Sequence, residues 1–363
     1  MFSKKKFFLY YNIYFAGILL IILGSIFVLS STFAYGLEKN NLTFYFVKHI
    51  QYLFIGVGLL YLAQRINIYK LEKISNILFF ISFLLLFIPV FQHGLRWAKL
   101  GPIRFQPSEF VKLTFILFLA SYFKKRKPES FRDIFIPLVI CFLVIGILQL
   151  QKDLGTSVII LSIFAGILFL CGLKIKYIVF ISGISIIIFI GLIFLFPYRI
   201  ERIKSFGKNY QTKQSIISIS SGGFFGKGLG AGIRKLRYVP EIHKDFVYAV
   251  VGEELGFAGT VGVLILFSII VFCGFEISYF CSDFFEKLLV SGISILFGIQ
   301  FILHACVVLG IFPTKGTTLP FFSVGGSSLM TNLLAFGFLL KTGKKIGEET
   351  NIKYLDEIII HLK

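Results

Sequence analysis

The sequence predicts an all-α integral membrane protein with about ten transmembrane helices and one long extracytoplasmic loop. Hydrophobic residues make up 56% of the 363 residues, and the mean hydropathy is +0.87. Only 15% of the residues are charged, and these cluster between long apolar runs. Soluble domains carry more charge, whereas a spanning helix needs about 20 mainly apolar residues, and such runs recur along the whole chain.

The apolar runs lie near residues 14–34, 48–64, 75–92, 109–123, 134–148, 156–172, 177–196, 246–274, 288–311 and 321–340. The first run is longer than the apolar core of a signal peptide, so we interpret it as an uncleaved first helix. No repeat or soluble domain interrupts the pattern, and residues 1–363 are interpreted as a single membrane domain. The polar segment 197–245 is too long for a simple connector and predicts the long loop.

Basic residues predict the orientation in the membrane. They fall at alternate ends of the runs, in the groups Lys4–Lys6, Arg65–Lys73, Lys124–Lys127, Lys174–Lys176 and Lys341–Lys345. The side that carries the excess of Lys and Arg is normally cytoplasmic. Both termini are therefore expected in the cytoplasm, and the loop 197–245 on the outer side of the cytoplasmic membrane.

The net charge of +19 would favour nucleic acid in a soluble protein. In a chain embedded in lipid, anionic lipids or lipid-linked anions are the expected partners instead. The outer loop is itself strongly basic, and its candidate ligand-binding cations include Lys227, Arg234 and Lys235. The alternative is a solvated loop in a lysine-rich protein.

Two polar motifs stand at predicted helix starts on the outer side. In Phe105-Gln-Pro-Ser-Glu-Phe-Val-Lys112, Pro107 suits the first turn of a helix, and Glu109 and Lys112 share a helix face. An ionisable pair inside an apolar helix is costly and commonly functional, although it could equally join two helices. Asp153 could cap the helix that follows it, or it could hold a metal or orient a sugar.

A glycine-dense stretch runs from Ser221 to Gly232. It does not have the spacing of a phosphate-binding Walker loop or of a dinucleotide fingerprint. Flexible backbone of this kind can approach a ligand closely and offer N–H groups to phosphate. A flexible connector is the alternative.

Asp245 lies at the end of the basic loop, where the chain enters the next predicted helix. In a regular helix it would share a face with Ala249, Gly252 and Gly256, which would let a helix or a lipid pack closely. An N-cap role for Asp245 remains open, and His243 could assist it or lie on the surface. Glu253 and Glu254 point elsewhere around the helix, and we expect them to form a structural network.

The last outer loop, Pro313–Ser328, contains Gly325-Gly-Ser-Ser, which could pack helices tightly or line a polar cavity.

Together, the motifs resemble the signatures of the SEDS family of cell-wall polymerases, the FtsW and RodA proteins. The matching stretches keep the family's order: Arg96-Trp97, Phe105-Gln-Pro-Ser-Glu, Asp153-Leu-Gly-Thr, Tyr210-Gln, Gln214-Ser215, Ser221-Gly-Gly, Gly226-Lys-Gly-Leu-Gly, Pro240-Glu, Asp245-Phe, Gly252-Glu-Glu-Leu-Gly-Phe, Leu319-Pro-Phe and Gly325-Gly-Ser-Ser. The Pro313-Thr-Lys-Gly form is closer to the FtsW branch than to the RodA branch.

The resemblance implies a ten-helix peptidoglycan glycosyltransferase that polymerises lipid II at the outer face of the membrane. It also implies work at the division septum with a class B penicillin-binding transpeptidase and other division proteins. The family's essential aspartate maps to Asp245, and its other functional polar positions map to Glu109, Lys112 and Asp153. The chain departs from the family at Lys244, where threonine is usual, and at His304, where asparagine is usual.

The chemistry of inversion at an α-linked sugar needs a general base, while the pyrophosphate leaving group needs cations. We therefore predict that Asp245 is the base and that Lys227, Arg234 and Lys235 bind substrate with His243. Glu109 and Lys112 would shape the cavity, and Asp153 would organise the site or a divalent cation such as Mg or Mn. The alternatives are a lipid II flippase, a RodA-type elongation polymerase, or a non-catalytic scaffold for division proteins.

Overall fold

The structure, a computed structural model, describes residues 2–38, 41–92, 96–101, 103–181, 183, 191, 210–236, 242–313 and 316–362. The described helices and strands are α1 Phe2–Glu38, α2 Phe44–Arg65, α3 Ile68–Leu85, α4 Phe87–Phe91, β1 Ala98–Leu100, β2 Ile103–Phe105, α5 Pro107–Lys125, α6 Phe131–Leu150, α7 Leu154–Leu170, α8 Tyr210–Ser221, α9 Ile242–Asp245, α10 Val247–Phe280, α11 Phe284–Val308 and α12 Gly326–Leu362.

The helices confirm the predicted all-α membrane architecture. Every predicted apolar run coincides with a described helix except the run 177–196, which falls largely outside the described residues. Within the described part of the chain, 6 helices are long and apolar enough to cross a membrane by length and composition. The hairpin of β1 and β2, which pairs Ala98 with Phe105, was not predicted.

The bundle is organised around α11, which is 72% buried along its most apolar stretch. It packs against α5, α7, α10 and α12. Gly292 of α11 allows this close approach, because a Cβ at that position would lie 2.5 Å from Ile116 of α5. Phe297 of α11 makes a tilted ring contact with Phe321 and an edge-to-face contact with Phe336, with ring centroids 5.5 and 6.5 Å away.

One end of the bundle gathers the basic clusters that the sequence places on one side of the membrane. The contacts there are Lys6 over the ring of Phe280 at 4.5 Å, Lys124 with Glu72 at 2.8 Å and Asp283 at 2.6 Å, and Lys341 with the carbonyls of Gln64 and Ile66 at 2.8 and 2.7 Å. The starts of α5, α7 and α12 lie at the opposite end.

Helix α10 is broken at Gly256, which contradicts the expectation of one regular helix with Asp245, Ala249, Gly252 and Gly256 on a single face. Gly256 has φ 67° and ψ −161°, a conformation available essentially only to glycine. The short helix α9 ends at Asp245, and Phe246 stands at the N-cap of α10. Gly252 and Gly256 therefore pack against the glycine-dense stretch rather than against a lipid.

The first part of the glycine-dense stretch, here called segment 221–228, replaces two hydrogen bonds that a regular α10 would make within itself. The amides of Phe257 and Ala258 donate to the carbonyls of Gly223 and Phe224, at 2.9 and 3.0 Å. The carbonyls that these amides would meet in a regular helix, those of Glu253 and Glu254, accept instead from the amides of Lys227 and Gly228, both at 3.0 Å. These four backbone groups of α10 are thus paired across the break.

Candidate active site

The end of the bundle opposite the basic clusters contains a polar cavity, here called the Asp245 cavity. Its volume is about 120 Å³, and it is lined by Arg96, Trp97, Gln106, Lys244, Asp245, Gly316, Thr318, Val324, Gly325 and Ser328. A second space of about 310 Å³, the adjoining cavity, shares Trp97, Lys244, Val324 and Gly325 with it. The adjoining cavity adds Tyr45, Lys48, His49, Tyr52, Arg104, Gly326 and Leu329.

Asp245 faces Arg96 across Gly316. A Cβ at Gly316 would lie 3.3 Å from Asp245 Oδ2 and 3.0 Å from Arg96 Nη1. The absence of a side chain at Gly316 therefore leaves the carboxylate and the guanidinium open to the same small space. A carboxylate and a fixed cation on one cavity wall suit both proton abstraction and charge stabilisation.

Arg96 is held by two backbone segments and one carboxylate. Its Nη2 donates to the carbonyl of Lys152 at 2.8 Å, and its Nη1 donates to the carbonyl of Gly316 at 3.4 Å. Asp153 Oδ1 lies 4.0 Å from Nη1. Because the planar guanidinium presents donors in a fixed fork, Arg96 joins the start of α7 to the last outer loop.

Asp153 is the N-cap of α7, as one of the two sequence interpretations predicted. Its Oδ1 accepts from the Thr156 amide at 3.2 Å, and its Oδ2 accepts from Thr156 Oγ1 at 2.9 Å. Asp153 is buried and does not line the Asp245 cavity among the described residues. It acts on the cavity through Arg96.

The turn that carries Asp245 is fixed by the last outer loop. The Val324 amide donates to the carbonyl of His243 at 3.0 Å. Ser323 Oγ donates to the carbonyl of Lys244 at 2.6 Å. These bonds satisfy backbone carbonyls at the end of α9, so the 319–325 loop sets the position of Asp245.

The start of α5 forms another wall of the cavity. The helix begins at Pro107 as predicted. Gln106 lines the cavity, its amide donates to Ser327 Oγ at 3.0 Å, and its side chain donates to Ser108 Oγ at 3.1 Å. The last outer loop therefore both packs against a helix and lines a polar cavity. Ser327 bonds the start of α5, while Gly325 and Ser328 line the Asp245 cavity.

Glu109 and Lys112 form the predicted ion pair, with Nζ 2.7 Å from Oε2. Both side chains are buried, and neither lines the two cavities in the described part of the chain. The pair lies within the first two turns of α5, just beyond Gln106. The Glu109–Lys112 pair therefore supports the cavity wall at Gln106 from its buried side.

His243 is buried against two tyrosines. Its ring centroid lies 4.7 Å from that of Tyr35 and 5.6 Å from that of Tyr45. The neighbouring Lys244, which replaces the threonine usual in the resembling family, lines both cavities.

Two cations of the 197–245 segment, Lys227 and Lys235, pair with carboxylates of α10. Lys227 pairs with Glu253 at 2.8 Å, and Lys235 pairs with Glu254 at 2.7 Å. Arg234 donates from its side chain to Gln214. This confirms the structural network predicted for Glu253 and Glu254, and it places Lys227, Arg234 and Lys235 outside the lining of the Asp245 cavity among the described residues. Of the remaining cations of the segment, Lys213 is exposed on α8 and Lys244 lines the Asp245 cavity, whereas Arg199, Arg202, Lys204, Lys208 and Arg237 lie outside the described residues.

Of the cations that line the two cavities, the sequence placed Lys244 in the basic loop but indicated no role for the other three. The cations are Arg96 and Lys244 in the Asp245 cavity, and Lys48 and Arg104 in the adjoining cavity. Lys48 stands in an apolar helix and Arg104 in the hairpin. The usable signal was the Arg96-Trp97 pair, which was noted in the resemblance without a role.

The described residues that could supply metal ligands, Asp153 among them, do not fit a divalent cation. In the described part of the chain, no three His, Cys, Asp or Glu side chains converge. Both carboxylate oxygens of Asp153 already accept from Thr156, whereas Mg²⁺ prefers octahedral oxygen ligands.

The chain is similar in sequence to known proteins over most of its length. A family model described as a cell cycle protein, FtsW/RodA/SpoVE, matches residues 11–346. The probable peptidoglycan glycosyltransferase FtsW of Aromatoleum aromaticum is 34% identical over 348 residues, which cover 89% of this chain and 85% of that protein. The stage V sporulation protein E of Bacillus subtilis is 35% identical over 347 residues, which cover 90% of this chain and 94% of that protein.

Two solved structures share the fold. One, reported as "Structural coordination of polymerization and crosslinking by a peptidoglycan synthase complex", has a TM-score of 0.75 and 26% identity and covers 92% of this chain and 97% of that chain. The rod shape determining protein RodA of Thermus thermophilus has a TM-score of 0.69 and 27% identity and covers 92% of this chain and 96% of that chain.

Proposed function

This chain belongs to the family of FtsW, RodA and SpoVE, and we propose that its peptidoglycan glycosyltransferase reaction takes place in the Asp245 cavity. The chain is a membrane-embedded enzyme whose relatives are named as glycosyltransferases of peptidoglycan. The observation that carries the proposal is the convergence of Asp245 and Arg96 on the space beside Gly316.

Lipid II is the proposed substrate, and Asp245 the proposed base. Lipid II presents an α-linked sugar on a pyrophosphate, and a β-1,4 bond requires direct attack by an acceptor hydroxyl with inversion. The hydroxyl proton passes to the Asp245 carboxylate as the new C–O bond forms and the bond to pyrophosphate breaks. The leaving group departs as an anion and needs no acid, only positive charge.

Cations at the two cavities supply that charge. Arg96 and Lys244 line the Asp245 cavity, while Lys48 and Arg104 line the adjoining one. We assign the pyrophosphate to this set. A direct role for Lys227 or Lys235 would require each of them to leave its carboxylate partner, whereas Glu109, Lys112 and Asp153 act by holding the cavity walls.

The cavity end of the bundle is the proposed extracytoplasmic end. The contacts of Lys6, Lys124 and Lys341 gather the basic clusters at the other end, which supports a cytoplasmic position for that end and for both termini. A class B penicillin-binding transpeptidase is the proposed partner, because a solved neighbour belongs to a complex that couples polymerisation to crosslinking. The FtsW names of the relatives favour the division septum as the place of action.

The test is polymerisation of purified lipid II by the protein together with its transpeptidase, with Asp245→Asn compared with wild type. Glycan chains are expected from the wild type alone. Asp283→Asn, at the opposite end of the bundle, is the matched carboxylate control and should polymerise normally. Movement of lipid II across vesicles without glycan chains would replace the enzyme with a flippase, and chains from Asp245→Asn at the normal rate would refute Asp245 as the base.

A further inference from the structure

The first part of α10, residues 247–255, forms a separate arm that ends at the break at Gly256. The arm continues through Phe246 into α9 and so carries Asp245 at its far end. Within the break, α10 has exchanged its own hydrogen bonds for those of segment 221–228. A Cβ at Gly256 would overlap the Gly226 amide and lie 2.6 Å from the Phe224 carbonyl oxygen, so the segment can fill the break only because residue 256 is glycine.

Glu253 is the group that fastens this segment to the arm. Its side chain is fully buried and accepts from Ser218 Oγ at 3.1 Å, Lys227 Nζ at 2.8 Å, the Ile233 amide at 3.0 Å and the Arg234 amide at 3.2 Å. One carboxylate thus gathers four donors from α8, the glycine-dense segment and the turn after it. Charge-assisted bonds of this kind are about twice as strong as neutral ones.

The same broken helix has a second way to satisfy its backbone. If segment 221–228 withdrew and Gly256 took a negative φ, the amides of Phe257 and Ala258 could return to the carbonyls of Glu253 and Glu254. Both states would pair the same four groups of the helix, so the alternative to the broken arrangement would be a second discrete state rather than a point in a continuous range.

A small change in the direction of the arm at Gly256 produces a large displacement of the Asp245 carboxylate. Asp245 precedes Gly256 by eleven positions, and at 1.5 Å per residue the lever is roughly 16 Å long. A tilt of about 10° would then displace the carboxylate by about 3 Å, and a misplacement of about 1 Å can cost ~100-fold in rate.

We propose that Glu253 and Gly256 are positioning residues for the transfer reaction, which keep the arm in the broken arrangement and thereby set the place of Asp245. The inference rests on the proposed role of Asp245. Neither residue touches the cavity in the described part of the chain. They act through the arm.

The experiment compares Glu253→Gln and Gly256→Ala with Gly262→Ala in lipid II polymerisation. Gly262 lies on the same helix with nothing within 4 Å of an added Cβ, so its alanine variant controls for a glycine replacement in α10. Each variant is also assayed for lipid II binding and for amide hydrogen exchange at Lys227, Gly228, Ile233 and Arg234. For Glu253→Gln we expect exchange at these amides to rise about tenfold or more and kcat to fall about tenfold or more, with lipid II affinity within about twofold of wild type.

Each outcome decides something. Faster exchange with an unchanged kcat in Glu253→Gln would refute the positioning role, and unchanged exchange would show that Glu253 does not fasten the segment. A merely structural defect would lower affinity and kcat together. If Gly256→Ala fails to fold, Glu253→Gln alone carries the test. If the wild type makes no chains, the proposed function falls with the inference, whereas loss in Asp245→Asn with normal rates in Glu253→Gln refutes the inference alone.

Discussion

Lys235 offers a direct test of whether the basic segment serves the fold or the substrate. Its Nζ donates to Glu254 Oε1, Ser30 Oγ and the Gly230 carbonyl, each at 2.7 Å. The carboxylate of Glu254 is fully buried. Among the described residues, Lys235→Met would leave the buried Glu254 carboxylate with only Ser30 Oγ and the Gly230 amide as hydrogen-bond donors.

Breaking a buried ion pair by removing one partner costs about 3–5 kcal/mol. At roughly 2 °C per kcal/mol for a chain of this size, we expect the apparent Tm of Lys235→Met to fall by about 6–10 °C. The double variant Lys235→Met with Glu254→Gln should regain part of this loss, because no uncompensated charge remains.

The assay is thermal unfolding in detergent beside lipid II binding. Lys213→Met, which removes an exposed lysine of α8, is the matched control and should leave Tm unchanged. If Lys235 holds pyrophosphate, the result reverses, with Tm preserved and lipid II affinity lost. That reversal, or a double variant no more stable than Lys235→Met, would refute the structural role.

Three further predictions concern the cavity and the opposite end of the bundle. Gly316→Ala places a methyl group 3.0 Å from Arg96 Nη1 and 3.3 Å from Asp245 Oδ2, so kcat/KM should fall about tenfold or more with little change in Tm; a normal rate would show that the space beside Gly316 is not where the reaction occurs. Arg96→Lys loses the planar fork and should reduce kcat/KM by ~10–100-fold, which steady-state polymerisation kinetics would detect. Burial alone would raise the pKa of Asp283, but the hydrogen bond and charge of Lys124, together with the backbone amides of Glu286 and Phe285, hold that pKa below its usual range. Because the folded pKa is depressed, the stabilisation from Asp283 is complete above about pH 4 and is lost as the pH falls below it; the Tm of the wild type should therefore fall more steeply in acid than that of Asp283→Asn.

Local chemistry predicted much of this site from the sequence. The start of α5 at Pro107 and the cap at Asp153 follow from backbone preferences that act within one turn. The partners of Glu253 and Glu254 were expected because two adjacent buried carboxylates require them. Each of these features depends on residues that are close in sequence or on a rule that holds at any position.

The features that the sequence did not predict depend on distant segments. The break at Gly256 exists because segment 221–228 supplies replacement hydrogen bonds, and helical periodicity carries no sign of that exchange. Arg96 becomes a wall of the cavity only when the starts of α5 and α7 meet the loop at Gly316. The ion pairs of Lys227 with Glu253 and of Lys235 with Glu254 join separate segments of the chain, and the sequence pattern alone did not indicate which groups would pair.

The break at Gly256 also divides α10 by hydrophobic length. The whole helix has 34 residues, which at 1.5 Å per residue is roughly 51 Å, well beyond the ~30 Å thickness of a bilayer's hydrocarbon core. The portion after the break, about 24 residues or roughly 36 Å, matches that thickness with a modest tilt. With that portion spanning the hydrocarbon, the arm would begin where the hydrocarbon ends, and the thickness of the surrounding bilayer would help to fix the height at which Asp245 meets the proposed lipid-linked sugar.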